Sequence, residues 1–345
     1  MEQKTETIVT TAPFNAGKTE TILVRLAGYI TEIVFRFGLN VAQTSEAAAV
    51  VDGILRMIDG LKFTASNVLD WYTIRDGREG FYLDYIKTQG SPYAGDIYGT
   101  TPPDLPAGAQ EARDVEVQFV FHPGIMPGNP FDLTRCIPLR GKSNVQVEVS
   151  WGTVLDDLGA GYSIDTAASD GLSIEVSRVI LEPGETERQA FAPLNHIFVP
   201  RLLPVTYPID AKYDAFSFSL DVLTGAYIRD VMFLVVDSAE IENRSSGELN
   251  QFRVRNNKGE LYNVRRNWIG FEREIKRRYY LPAVKSGLAM LDFRGVKGKD
   301  YGLNMVQASK GDWMLEFSTA RSGGEIWALY EAADLVSIDP TVIGL

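Results

Sequence analysis

The sequence is poor in the residues that most catalytic and metal sites use. Its 345 residues include a single cysteine, Cys136, and two histidines, His122 and His196. One cysteine excludes an intrachain disulfide, and a zinc site needs grouped Cys and His ligands that this chain does not supply. Neither histidine lies near a nucleophile motif such as G-x-S-x-G, so we interpret both as structural. We therefore predict no catalytic residue, no metal site and no cofactor.

Long hydrophobic runs and a positive net charge are also missing. No apolar stretch approaches the ~20 residues that a membrane-spanning helix needs. The net charge of −11 at pH 7 argues against general binding of nucleic acid through the whole surface. What remains is a chain of ordinary globular composition, long enough for about two domains.

The sequence does contain an internal repeat. Residues 27–35 read Ala-Gly-Tyr-Ile-Thr-Glu-Ile-Val-Phe, and residues 225–233, about 198 positions later, read Gly-Ala-Tyr-Ile-Arg-Asp-Val-Met-Phe. Each copy follows a stretch of alternating apolar residues, which is typical of a half-buried strand. A repeat at this domain-sized spacing predicts two similar β domains in tandem.

Later segments extend the repeat towards the ends of the two predicted domains. The alternating strand around Val145 matches residues 313–317, and the strand that begins at Ile174 matches the one that begins at Ile326. Each half then offers about eight short strands. Eight strands wired as two Greek keys make a jelly roll, and a pair of immunoglobulin-like sandwiches is the alternative.

One or two short helices are expected among these strands. Asn67 and Asn263 each precede a tryptophan, and an asparagine side chain can cap the free N–H groups of a first helical turn. Residues 264–279 have the pattern of the best helix in the chain. The predicted fold class is therefore all-β, two tandem eight-stranded jelly rolls with one or two short helices.

Composition sets the expected boundaries. Residues 1–19 are polar and threonine-rich and predict an N-terminal arm, followed by a first jelly roll at 20–184. Residues 185–212 are dense in proline, which disfavours a helix interior or a central strand, so we predict an extended connector there. A second jelly roll is expected at 213–336, and a C-terminal tail at 337–345.

This organisation resembles the double jelly-roll major capsid proteins of the tectivirus–adenovirus lineage. The residues that carry the resemblance are the Tyr29 and Tyr227 strand pair, the Asn67 and Asn263 helix starts, and the run at 129–139 before a strand. The resemblance covers about residues 20–336, and its motifs are architectural.

The resemblance implies a non-enzymatic structural protein of the virion, made in the host cytoplasm. Its subunits would form homotrimers, which act as pseudo-hexagonal capsomers of an icosahedral shell, usually over an internal viral membrane. The implied partners are copies of the chain itself, neighbouring capsomers, penton or minor capsid proteins and that membrane, with no specific nucleic acid. The long loop at 90–112 would face outward or clamp a neighbour.

Cationic residues are concentrated in one part of this acidic chain, where aromatic residues interleave with them. They could pair with the acidic surface of another subunit, which we favour because arginine forms bidentate pairs with carboxylates. They could instead contact phosphates of nucleic acid or lipid headgroups. The candidates are Arg253, Arg255, Arg265, Arg266, Arg273, Lys276, Arg277 and Arg278.

Two further features point to carbohydrate. Asn243 begins the only N-x-[ST] pattern and is a candidate glycosylation site in a polar stretch. The acidic residues Asp156, Asp157 and Asp165 could hold calcium or act as a glycosidase pair, although solvated loop acids are the simpler interpretation. A carbohydrate-binding or carbohydrate-active β-sandwich is therefore the alternative function.

Overall fold

The computed structural model of the chain resolves two compact units. Unit 1 comprises Met1–Arg201 with Leu335–Leu345, and unit 2 comprises Leu202–Asp334. None of the helices in the described part is long and apolar enough to cross a membrane. The residues that the structure describes are 6–24, 28–65, 69–88, 104–121, 136–139, 145–179, 196–212, 216–219, 226–237, 245, 249–256, 264–283, 285–293, 303–304, 311–320 and 322–337.

Unit 1 is built mainly of strands. Its helices are α1 (Gly53–Arg56) and α2 (Gly77–Lys87), and Val154–Leu158 forms a single π-helical turn. Its strands are β1 (Glu6–Ala12), β2 (Thr19–Leu23), β3 (Tyr29–Gln43), β4 (Ile58–Ala65), β5 (Leu69–Ile74), β6 (Gln110–Phe121), β7 (Ile137–Pro138), β8 (Gln146–Trp151), β9 (Tyr162–Asp165) and β10 (Gly171–Val179).

Unit 2 has the same character. It contains one described helix, α3 (Trp268–Arg278). The first and last of its strands extend a few residues beyond the bounds of the unit. The strands are β11 (His196–Pro208), β12 (Phe216–Ser219), β13 (Tyr227–Val236), β14 (Leu249–Asn256), β15 (Val264–Asn267), β16 (Leu288–Asp292), β17 (Leu303–Asn304), β18 (Trp313–Thr319) and β19 (Glu325–Ser337).

The two units share one wiring. In unit 1 the neighbouring strands run β1–β10–β3–β6 in one sheet and β2–β8–β4–β5 in the other. In unit 2 they run β11–β19–β13–β16 and β12–β18–β14–β15. If β7, β9 and β17 are set aside as short accessory strands, both orders read first–eighth–third–sixth and second–seventh–fourth–fifth. This is the order of a jelly roll, so the predicted fold class is confirmed and the immunoglobulin-like alternative is excluded.

The tyrosine repeat marks the same irregularity in both units. In the pairing of β3 with β10 the register skips Thr31, and in the pairing of β13 with β19 it skips Arg229. Each is the second residue after the repeated tyrosine, and each forms a β-bulge, in which one strand carries an extra residue. The repeated sequence therefore encodes a repeated backbone feature.

The side chains at these two bulges reach equivalent places. Thr31 Oγ1 donates to the backbone oxygen of Ser177 at 3.2 Å, and Arg229 Nη1 lies 2.7 Å from Glu331 Oε1. Ser177 and Glu331 occupy matching positions on the eighth strand, opposite the residue that follows the bulge. Arg229 and Glu331 are both buried, and a buried charge needs a partner of opposite sign, which each supplies to the other.

Two segments that were predicted to be an arm and a connector contain strands. Glu6–Ala12 lies within the predicted N-terminal arm but pairs along its whole length with β10, because its Thr and Val residues favour the extended backbone. His196–Pro208 lies within the predicted connector at 185–212. Its prolines at 200, 204 and 208 are spaced by four, so their missing N–H groups fall on one edge of the strand. The placing of the domain boundaries stays a prediction.

The helices also begin later than predicted. Asn67 and Asn263 lie outside the described residues, and the caps are Asp76, which accepts from the Arg78 N–H at 2.7 Å, and Asn267. Residues 264–267 pair with β14, so the predicted helix at 264–279 begins only at Trp268. Helix α2 has no polar stripe because residues 77–86 are all buried, which explains why periodicity does not reveal it.

An aromatic contact joins the two sheets of unit 1. Phe37 of β3 and Trp151 of β8 are both buried, with ring centroids 5.8 Å apart and ring planes at 85°. Phe14 packs on the same indole, with centroids 5.0 Å apart. Edge-to-face rings of this kind stabilise a core beyond the area that they bury.

Phe37→Ala is expected to lower the free energy of unfolding of unit 1 by about 3–5 kcal/mol, because it leaves a cavity between the sheets. Urea unfolding followed by tryptophan fluorescence measures the change. The control is Leu155→Ala, since Leu155 is 72% exposed and its truncation should cost no more than about 0.5 kcal/mol. Equal losses for the two variants would contradict the assignment of Phe37 to the core.

Candidate functional site

Helix α3, at the C-terminal end of the cationic stretch, buries one face in the core of unit 2. Trp268, Phe271 and Ile275 are buried on it, at the spacing of a single helical face. Phe252 of β14 packs against Trp268 and Phe271, with ring centroids 5.8 and 5.6 Å apart. Of the aromatic residues that interleave with the cations in the sequence, these are core residues and are not available to a ligand.

A buried carboxylate fastens the helix to the turn before β16. Glu272 Oε1 accepts from Trp268 Nε1 at 2.9 Å and from the Gly287 N–H at 2.7 Å. Gly287 has φ +73°, and a Cβ there would lie 2.7 Å from the Val235 oxygen, so the turn requires glycine. The position of α3 is thus set by packing and by hydrogen bonds, independently of the cations on its other face.

The opposite face of α3 is exposed and cationic. Arg273 and Arg277 are exposed, and Lys276 is partly exposed beside them. Ile269 lies one turn before Arg273 and Tyr280 directly follows the C-cap of the helix, and they are 47% and 79% exposed. Among the described residues, no carboxylate forms an ion pair with Arg273, Lys276 or Arg277. We call these five residues the α3 stripe.

Other cationic candidates are already engaged or belong to strands. Arg278 Nη2 lies 3.4 Å from Asp292 Oδ2, to which the Tyr279 hydroxyl also donates at 3.1 Å. Arg253 on β14 lies 3.5 Å from Glu316 on β18. The remaining candidates have only their backbone described: Arg255 in β14, and Arg265 and Arg266 in β15. The structure thus brings Arg273, Lys276 and Arg277 together on one face of α3. Arg253 and Arg278 differ from them because each has a carboxylate partner.

The carboxylates of the acidic candidates accept hydrogen bonds from backbone groups of their own turns. Asp165 Oδ1 accepts from the backbone N–H of Ala167 at 2.9 Å, and Asp157 Oδ2 accepts from that of Thr153 at 2.7 Å. Burial raises the pKa of Asp157 to about 6, and nearby carboxylates contribute to the rise. Within the described ranges, no group of three or more His, Cys, Asp or Glu residues could hold a metal ion.

The remaining sequence candidates contribute no described site. Asn243 and His122 lie outside the described residues, as does the side chain of His196, whose backbone is in β11. Cys136 is buried and not in a disulfide. Sequence reasoning missed the role of Glu272, although its position four residues after Trp268 on the buried face of a helix was a usable signal.

The repeated wiring defines a class of protein, the double jelly roll. Among solved structures, the chain is similar to the major capsid protein of Sulfolobus turreted icosahedral virus (STIV), with a TM-score of 0.75, 16% identity and coverage of 99% of both chains. It is also similar to the capsid of PBCV-1 (TM-score 0.59, 11% identity, covering 97% of this chain and 95% of that one). The major capsid protein P2 of bacteriophage PM2 gives a TM-score of 0.56 at 12% identity, with 97% of this chain and 99% of that one covered. No family model matches the chain, and no curated protein matches it by sequence.

Glu272→Ala is expected to lower the free energy of unfolding of unit 2 by about 2–5 kcal/mol, because two buried N–H donors lose their shared acceptor. Urea unfolding with tryptophan fluorescence checks this. Glu272→Gln keeps an acceptor oxygen at nearly the same place and should cost clearly less. Equal costs for the two substitutions would show that the hydrogen bonds do not hold the helix.

Asp157→Asn is expected to change how stability depends on pH. The folded protein holds the Asp157 proton up to about pH 6, whereas the unfolded chain releases it near the ordinary value of 3.8. Stability from this group is therefore fully present below about pH 4 and is lost as the pH rises through 6. The variant should match the wild type at low pH and exceed it above pH 6.

Unfolding midpoints measured from pH 4 to 8 test this expectation. Glu111→Gln, which removes a carboxylate charge from an exposed position of unit 1 outside this turn, is the control and should show no such crossover. A constant difference between Asp157→Asn and the wild type over this range would contradict the assignment.

Proposed function

We propose that the chain is a viral major capsid subunit. Its work is self-assembly into trimeric, pseudo-hexagonal capsomers of an icosahedral shell that lies over an internal membrane. The observation that carries the proposal is the duplication: one jelly-roll wiring occurs twice, with the same bulge in the third strand of each copy. The likeness to a major capsid protein over 99% of both chains supports it, because the match includes both units.

The duplication gives a physical reason for a trimer. Three copies with two similar lobes each present six lobes around a threefold axis, and this nearly hexagonal outline can tile a shell. Cyclic assembly needs only one kind of contact, repeated head to tail, which closes after three copies. Permanent interfaces of this type bury upward of about 2,000 Å² and are apolar at their centres.

The proposed partners follow from the same assembly. Copies of the chain form the trimer, neighbouring capsomers and penton or minor capsid proteins complete the shell, and the virion is the proposed location. The cationic candidates serve subunit contacts in this proposal. In this proposal the chain catalyses no reaction, and the carboxylates of Asp157 and Asp165 accept hydrogen bonds within their own turns.

Light scattering coupled to size exclusion should give a mass about three times that of the 38.3 kDa chain, or larger assemblies built from that unit. The mass should not change on tenfold dilution, because an obligate interface of this size dissociates very weakly. A monomer that binds glycans on an array would overturn the capsid proposal in favour of the carbohydrate alternative.

A further inference from the structure

The net charge of the chain lies entirely in one unit. Unit 1 holds 16 lysines and arginines against 27 aspartates and glutamates, a net charge of −11, whereas unit 2 holds 18 of each. Within unit 2, residues 251–300 carry 13 cationic residues against 5 acidic ones. A chain divided in this way has an electrostatic reason to place unit 2 of one copy beside unit 1 of another.

Part of the acidic charge of unit 1 lies on one face of a sheet. Along most of β3, β6 and β10 buried and partly exposed residues alternate, and Glu116 and Glu175 lie on the outward face on either side of Arg36. Arg36 pairs with both, at 2.7 and 3.1 Å. Two carboxylates thus already share the single guanidinium between them.

Three more carboxylates surround this pair at one end of the sheet. Asp114 and Asp165 face Asn40 in the strands on either side of β3, and Asn40 Nδ2 donates to Asp114 Oδ1 at 2.7 Å. Asp170 lies over Gly38, where a Cβ would be 3.0 Å from the Asp170 Cβ. Within the described part of the chain, no cation forms an ion pair with any of these three aspartates.

We call Asp114, Glu116, Asp165, Asp170 and Glu175 the sheet patch. Its members influence one another: burial raises the pKa of Glu116, Arg36 opposes the rise, and the charges of Asp170 and Glu175 add to it. Carboxylates that lie close together repel one another, so the approach of a cation from another molecule stabilises their charged form. Arginine is well suited to this because its guanidinium binds carboxylates through two parallel hydrogen bonds.

The α3 stripe has the complementary chemistry. Its three cations have no carboxylate partner among the described residues, and Ile269 and Tyr280 provide exposed apolar surface at its ends. Of the five large hydrophobic residues that are exposed in the described part, these two flank the cations. Exposed apolar residues beside cations suit a protein contact, in which the apolar groups contribute burial and the charges set orientation.

We propose that the α3 stripe of one copy docks on the sheet patch of a second copy. This inference rests on the proposed self-assembly and specifies one of its contacts. Because the stripe and the patch belong to different units, the contact is head-to-tail, and an open assembly keeps one free stripe at one end and one free patch at the other until a ring closes. Lipid or nucleic-acid phosphates are the competing partners for the same cations.

Charge reversal on both sides tests the docking. The stripe variant carries Arg273→Glu and Arg277→Glu, the patch variant carries Asp114→Lys and Asp170→Lys, and a third variant combines all four. The control, Lys18→Glu with Lys212→Glu, makes the same change in net charge as the stripe variant at exposed sites outside both surfaces. Sedimentation velocity at 50 and 500 mM salt measures the mass, and circular dichroism verifies that each variant folds.

The stripe variant and the patch variant should each dissociate at concentrations roughly 100-fold above those at which the wild type and the control remain trimeric. The combined variant should form trimers again, because opposite charges meet at every contact. An equimolar mixture of the two single-side variants should form two-membered species rather than trimers, since a ring of three would force one mismatched contact.

Other results separate the docking from the proposed function. Trimers that persist in both reversed variants overturn the docking and leave the capsid role intact. If, in addition, the stripe variant alone loses binding to vesicles containing phosphatidylserine, the stripe is a headgroup contact. A wild type that is monomeric at both salt concentrations overturns the docking and the proposed trimer together.

Discussion

The backbone pairing of the third strand in each unit is the constraint on which the rest of the structure depends. β3 is hydrogen-bonded to β10 and β6, and also to the short strands β7 and β9, while β13 holds β19, β16 and β17 in the same way. A bulge two residues after the repeated tyrosine shifts the register between the third strand and the eighth. Loss of this register would expose the buried face of an entire strand.

The third strand is also the part that the sequence reveals best, because half-buried strands leave an alternating pattern and the repeat marks it twice. The same reasoning located β8, β10, β18 and β19, whose alternation is equally plain. Pattern-based prediction failed where buried and exposed positions do not alternate in the sequence. Helix α2 is buried on every side, and β11 contains three prolines, a composition that predicts a connector and not a strand. At the candidate site, the sequence identified the cations but could not divide them into free and paired groups, since Glu316 and Asp292 are distant in sequence.

The duplicated units have diverged at equivalent places. Each carries a helix after its fifth strand, but α2 is buried within unit 1, whereas α3 buries one face and exposes a cationic one. The charge of the chain is divided in the same sense, with a strongly acidic unit 1 and a neutral unit 2. Two identical lobes would pair equally well in several arrangements. Two lobes of similar shape and different charge favour alternation, which is what a closed ring of three double-lobed subunits requires.

The central claim is that a duplicated jelly roll of this kind exists to assemble with copies of itself. Electron-microscopic class averages of the purified full-length protein, calculated without imposed symmetry, test it most directly. The account predicts particles with six similar lobes around a threefold axis, in which the lobes alternate between two slightly different densities. Particles with only two lobes at every concentration, or rings with another number of lobes, would contradict it.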